Sequence, residues 1–165
     1  ISGLFLMAER PFVVGDLIET LKSFLDENAH LFKDCRIVIH DAAIGPRYHR
    51  INRQLFDMLL MNSLTNAMKY KASETPHVEI SIEPEKRWTR IHFRDNGIGF
   101  DRQEMKKIFR KFYQIGRSDD MTAKGSGLGL HLVQTIARLH KGKVLAESAG
   151  RGCGSTFTLA LPVLE

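Results

Sequence analysis

The chain has 165 residues, enough for one domain with a well-filled core and few for two. Hydrophobic residues make up 43% and charged residues 26%, the balance of an ordinary globular domain rather than of a disordered chain. The formal net charge of +5 favours an anionic partner, but the basic residues are scattered and aromatics do not interleave with them, so neither nucleic-acid readout nor a membrane-binding face is indicated.

Cys35 and Cys153 are far apart, without a CxxC partner or a nearby histidine pair, so a metal centre is not indicated and reduced thiols are expected. No run of about 18 apolar residues exists to span a membrane. Residues 1–10 carry an apolar patch without a basic leader or a small-residue cleavage site, which is not a signal-peptide pattern. Pro11 breaks any helix, and Phe12 to Val14 is expected as a short strand. Asp16 is expected to open a helix to about Ala29, with Leu17, Leu21, Phe24 and Leu25 as its apolar stripe. Arg36 to His40 alternates, with Ile37 and Ile39 on one face, and reads as a strand. Gly45-Pro46 signals a loop, and the basic residues nearby (Arg47, His49, Arg50, Arg53) read as its solvated surface.

A long helix from about Ile51 to Lys71 follows. Leu55, Phe56, Leu59, Leu60, Leu64 and Met68 give it a broad buried face, and Met58 and Met61 read as gap-filling core. Asn62, Asn66 and Lys69 lie three or four apart and share roughly one face. Asn is a mediocre helix former, so the pair needs a reason. Either the amides bond each other or backbone, or they offer oxygen to a hard cation such as Mg²⁺, with Lys69 suited to phosphate.

His77 to Glu83 and Trp88 to Arg94 alternate as a hairpin about Pro84–Arg87, with Val78, Ile80, Ile82, Ile91 and Phe93 inward. Parity carries Asp95 to the inner side at the strand's end, where a lone carboxylate is costly without a partner. Asn96-Gly97-Ile98-Gly99 follows, and its glycines permit close backbone approach. A carboxylate beside bare backbone suits a base with an exocyclic amine, adenine rather than guanine; the alternative is a tight Asn-Gly turn capped by Asp95. Arg102 to Phe112 is one amphipathic piece carrying Met105, Ile108, Phe109 and Phe112, and 114–124 is an aperiodic loop, expected to be a lid that is mobile without nucleotide. Lys124-Gly125-Ser126-Gly127-Leu128-Gly129-Leu130 then opens a helix to about His140. Glycine-rich turns before helices bind phosphates, although this spacing is neither the Rossmann fingerprint nor a P-loop. Lys143 to Ser148 and Ser155 to Leu161 read as two strands joined through Gly150–Gly154, with Phe157, Leu159 and Leu161 inward.

Taken in order, these motifs resemble the catalytic and ATP-binding domain of sensor histidine kinases, part of the GHKL group with the Bergerat fold, over about residues 12–164. Asn62 to Tyr70 resembles the N box, Asp95 to Gly99 the first glycine box, Ile108 to Tyr113 the phenylalanine box and Gly125 to Leu130 the second glycine box; Gly152 to Phe157 with Leu161-Pro162 resembles the ending of these kinases. The resemblance implies an α+β two-layer sandwich, a mixed and mostly antiparallel sheet packed against three helices, with ATP between the helices and the lid. It implies that Asn66 coordinates Mg²⁺ on the ATP phosphates, assisted by Asn62. Lys69 and Tyr70 would line the phosphate and adenine side, and Asp95 would accept from the adenine amine. Gly97 and Gly99 would let the base and lid approach, and Lys124, Gly125, Ser126, Gly127, Leu128 and Gly129 would cradle the phosphates.

In the related gyrase, MutL and heat-shock chaperone enzymes, a Glu four residues before the metal-binding Asn activates water. Here that position is Asn62, whose amide takes no proton at neutral pH. The resemblance therefore implies γ-phosphoryl transfer to a protein, with Arg110, Lys111, Arg117 and Lys124 as candidates to offset charge. The family's acceptor is a histidine on a separate helical dimerisation domain. Only His40-Asp41 superficially fits, at a strand end, so the acceptor is expected outside this chain. Residues 1–11 would be a linker or the end of that domain, and 12–165 the catalytic domain. The implied partners are ATP, the dimerisation domain and, indirectly, a cognate response regulator; the implied place is the bacterial cytoplasm, in a free or membrane-anchored sensor. A serine kinase of the anti-sigma-factor type shares the fold, but the phenylalanine box speaks against it. A non-catalytic, nucleotide-gated interaction module is the third reading.

Overall fold

The computed structural model describes residues 12–40, 45–115 and 125–164. Its strands are β1 (Val13–Asp16), β2 (Arg36–His40), β3 (Tyr48–Ile51), β4 (His77–Pro84), β5 (Trp88–Asp95), β6 (Lys143–Glu147) and β7 (Ser155–Pro162). Its α-helices are α1 (Leu17–Glu27), α2 (Arg53–Lys69) and α3 (Gly129–Leu139). Five strands form one sheet in the order β2-β4-β5-β7-β6, with β2 parallel to β4 and the other pairs antiparallel. β1 and β3 form a separate antiparallel ribbon. This is the mixed, mostly antiparallel sheet with three helices that the sequence led us to expect. No helix of the described residues is long and apolar enough to cross a membrane.

Alternation builds the sheet's inner face. Val78, Ile80 and Ile82 of β4, Ile91 and Phe93 of β5, and Leu159 and Leu161 of β7 are buried in one cluster with Leu21 and Phe24 of α1, Leu55 to Leu64 of α2, and Val133 and Ile136 of α3. Burying this apolar area is the main driving force for the two-layer arrangement. Asp16 caps α1 as expected, accepting from the Ile18 N–H at 2.9 Å.

Three expectations need correction. The basic stretch after Gly45-Pro46 is not a solvated loop. It contains β3, in which His49 and Ile51 point inward and only 1% and 2% of their surface remains exposed. His49 is tolerated there because Nδ1 donates to the Pro162 carbonyl (2.7 Å) and Nε2 accepts from the Thr89 hydroxyl (3.1 Å). Arg47 turns back onto the β4–β5 hairpin and donates to the carbonyls of Glu85 and Trp88. The long helix starts at Arg53, because Ile51 belongs to β3 and the Asn52 side chain caps the helix by accepting from the Leu55 N–H. Finally, Arg102 to Phe112 is a short 3-10 turn (Arg102–Glu104) followed by further turns; Ile108 and Phe109 are buried as expected, but Phe112 is 72% exposed at φ 63°.

Candidate active site

The inner end of β5 and the adjoining helices enclose a cavity of about 210 Å³. Of the residues singled out in the sequence, Asn62, Asn66, Lys69, Tyr70, Asp95, Gly99, Ser126, Gly127 and Gly129 line it. Gly97, Gly125 and Leu128 stand just outside the lining. Lys124 and Arg117 lie outside the described residues, as does most of segment 114–124, where a lid is expected. Arg110 and Lys111 are exposed and do not line the cavity.

Asp95 lies where strand parity put it. Its Oδ1 accepts from the backbone N–H groups of Gly97 (2.8 Å) and Ser155 (3.1 Å), and its Oδ2 from the Ser155 hydroxyl (2.5 Å). A carboxylate offers about four acceptor sites, so one remains for a donor in the cavity. The chain does not double back here as a hairpin turn would. Ile98 N–H instead donates to the Tyr70 carbonyl (2.9 Å), and Lys71 bridges Gly97. This pairing stops α2 at Lys69, two residues before the sequence predicts, and it ties the asparagine helix to the aspartate loop. A Cβ at Gly97 would lie 2.5 Å from the Tyr70 carbonyl oxygen, so only glycine permits the approach.

On α2 the two amides behave differently. Asn62 Nδ2 donates to the Met58 carbonyl (2.8 Å), and its Oδ1 lies against Gly129 at the start of α3. The Asn66 side chain has no hydrogen-bond partner among the described residues and lines the cavity. Lys69 Nζ sits 5.6 Å from the Tyr70 ring centroid and against Gly125. Burial raises the Tyr70 phenol, which keeps it a neutral donor at the wall.

The first turn of α3 faces the same cavity. Leu128 precedes it without a side-chain cap, leaving the N-terminal N–H groups available. Gly127 has φ +70°, and a Cβ there would lie 2.7 Å from Phe112 Cα. The root of the lid is thus laid directly on the glycine turn, with Phe112 N–H donating to the Gly127 carbonyl (2.9 Å). Gln114 Nε2 donates to the Gly125 carbonyl.

Sequence reasoning gave no site role to the apolar walls, Ile98, Phe100, Ile108, Ile115, Leu130 and Phe157, or to Ser155, although several stand inside the boxes it named, and it gave none to Ser148. Ser155 is Asp95's register partner on β7. Ser148 accepts from the Phe100 N–H (3.1 Å) and donates to the Gly154 carbonyl (2.7 Å), fastening the Gly97–Phe100 loop to the β6–β7 turn. Only long-range facts reveal the two serines, the pairing of β5 with β7 for Ser155 and the packing of the β6–β7 turn on the Gly97–Phe100 loop for Ser148.

A cavity with apolar walls ending in a carboxylate with a spare acceptor site, next to an amide without a partner among the described residues and an open helix N-terminus, is the arrangement expected of an ATP-binding α+β sandwich. Residues 51–165 match the family described as histidine kinase-, DNA gyrase B-, and HSP90-like ATPase, and the chain belongs to that family. It is 31% identical over 150 residues to the signal transduction histidine-protein kinase ArlS of Staphylococcus epidermidis, covering 91% of this chain and 32% of that protein. Among solved structures it superposes on the mycobacterial sensor histidine kinase MprB (TM-score 0.75, 20% identity, 92% of this chain and 97% of that one). It superposes equally on the catalytic domain of histidine kinase ThkA (TM-score 0.75, 20% identity, 93% and 98%). The chain spans about a third or less of the length of the curated relatives it matches.

Proposed function

We propose that this chain is the ATP-binding catalytic domain of a two-component sensor histidine kinase, passing the γ-phosphoryl group of ATP to a histidine on a dimerisation domain outside it. In this reading residues 1–11 are the linker from that domain, the domain works in the bacterial cytoplasm, and a response regulator takes the phosphoryl group onward. The observation that carries it is the convergence of Asp95, Asn66 and the first turn of α3 on one cavity.

Asp95's remaining acceptor site orients the base through its exocyclic amine, and the apolar walls sandwich the ring. The unpartnered Asn66 amide fits Mg²⁺, a hard cation that keeps most of its waters and takes few protein oxygens; Asn62 stands one turn away to assist. Bound Mg²⁺ would offset the charge of the phosphate oxygens. Lys69 and the N–H groups of the first turn of α3 then supply positive potential at the phosphates. Asp95 is the only carboxylate among the described residues lining the cavity, and no histidine lines it there. Asp95 is committed to Gly97 and Ser155 at the base end, and Asn62 is an amide, so none of these groups draws a proton from water at the phosphate end. That arrangement preserves the γ-phosphoryl group for a protein acceptor.

The test supplies a histidine-bearing dimerisation domain with the chain and Mg·ATP. Phosphate that is labile to acid and stable to base should appear on the supplied domain and disappear with Asn66→Ala. Acid-stable phosphate would select the serine-kinase reading, and tight ATP binding without transfer the non-catalytic one.

A further inference from the structure

We infer that Arg151, in the turn between β6 and β7, is a positioning residue for the nucleotide, acting through Glu104 on the root of the lid; the inference rests on the ATP-binding reading. Arg151 Nη2 lies 3.0 Å from both carboxylate oxygens of Glu104, and its Nε lies 3.4 Å from Asp101 Oδ2. The Glu104 side chain is only 13% exposed, so this ion pair is better shielded than an ordinary surface pair. Glu104 gathers two further donors. The Asp101 N–H reaches Oε2 (2.9 Å), and the Tyr113 hydroxyl reaches Oε1 (3.3 Å). Tyr113 lines the cavity and is followed by Gln114, which also lines it and donates to the Gly125 carbonyl.

The other end of the chain of contacts is equally fixed. Gly152 N–H donates to the Ile98 carbonyl (2.7 Å) and Gly154 N–H to the Gly97 carbonyl (3.0 Å), so the turn bearing Arg151 is stitched to the base-recognition loop. Arg151 therefore braces the lid root against the loop that holds Asp95. None of its contacts is to the cavity itself. Its effect on the nucleotide is to keep Tyr113 and Gln114 in the wall, which slows nucleotide escape more than it changes nucleotide capture.

The experiment measures stopped-flow association and dissociation of a fluorescent ATP analogue with Mg²⁺ for the parent chain and for Arg151→Ala, Arg151→Lys, Tyr113→Phe and the Arg151→Ala/Tyr113→Phe double variant. Arg151→Ala should speed dissociation about two- to fivefold, the range open to such a pair, with little change in the association rate. Arg151→Lys should restore part of the loss. Raising salt should speed dissociation from the parent more than from Arg151→Ala, the difference reporting the screened Arg151–Glu104 pair. Tyr113→Phe keeps the ring in the wall and removes only its link to Glu104, so it should produce a similar change, and the double variant should cost less than the two single effects combined. If the parent binds the analogue and Arg151→Ala dissociates at the parent's rate, or if the two effects simply multiply, Arg151 is a surface residue and the inference falls while the ATP-binding reading stands. A parent chain that does not bind the analogue overturns both.

Discussion

Under the proposed function Asp95 would decide which base the site accepts, because three of its four acceptor positions are already held by the protein. Adenine brings a donor to the fourth. Guanine brings a carbonyl oxygen there, leaving two acceptors face to face at a cost of about 1–3 kcal/mol. Asp95→Asn is the discriminating variant. Its remaining oxygen can still accept from Gly97 and Ser155, but its NH₂ would meet the adenine amine donor to donor. Fluorescence titration should show ATP affinity reduced about 10- to 100-fold, the equivalent of that penalty, while the melting temperature stays near the parent's. Gly127 makes a different demand, for backbone rather than side chain. At φ +70° and with Phe112 Cα 2.7 Å from any added Cβ, alanine there is both strained, by about 1–2 kcal/mol, and in collision with main chain that has no rotamer to escape into. Gly127→Ala should lower the melting temperature by a few degrees and also weaken nucleotide binding, because the turn and the lid root must separate.

Between elements, the link least visible in the sequence is His140, just past the end of α3. It is 4% exposed; Nδ1 donates to the Ile136 carbonyl (2.9 Å) and Nε2 accepts from the N–H of Asn52, the cap of α2 (3.2 Å). His49 repeats the pattern between β3, β5 and β7. Each imidazole is used as a neutral donor–acceptor, and burial holds both below the ordinary histidine value of about 6.5. A group whose folded pKa is depressed favours the folded state fully above its unfolded pKa, and that contribution is lost as pH falls through the folded one. Thermal stability should therefore be flat above pH ~6.5 and decline steadily below it, and His140→Gln should flatten part of the decline in melting curves taken across that range. The same two residues show what could be read from the chain alone. The helices, the β4–β5 hairpin and the glycine turns announce themselves through local periodicity, and with them Asn62, Asn66, Asp95 and Gly127. β3 does not, because its inward positions are filled by His49 and Ile51, and a histidine satisfied by residues 40 and 113 positions away looks like loop surface in sequence. The contacts of Ser148 and Ser155 were hidden for the same reason, since strand order is not a local property.

At the scale of the whole molecule, the cavity lies where the two helices meet the end of the sheet, and its lining comes from elements distant in the chain, among them Asn66, Asp95, Tyr113, Gly127 and Ser155, all of which a nucleotide held there would bring together. Unfolding separates all of them, and the unfolded chain has no comparable site. Binding must then stabilise the fold by mass action, by about 2.7 kcal/mol when free ligand stands at 100 times Kd. For a domain of this length about 1 kcal/mol moves the melting temperature by roughly 2–4 °C. A saturating Mg·ATP analogue should thus raise it by about 5–11 °C, the product of those two figures. The rise is a readout of binding alone and requires no acceptor histidine. It should shrink when EDTA removes the cation, because Asn66 would then face the phosphates without a charge to offset them. Asn66→Ala should shrink it to the same level and make it insensitive to EDTA. A rise that survives both treatments would mean that the amide of Asn66 has no part in holding the metal, and that α2 serves the nucleotide only as a wall.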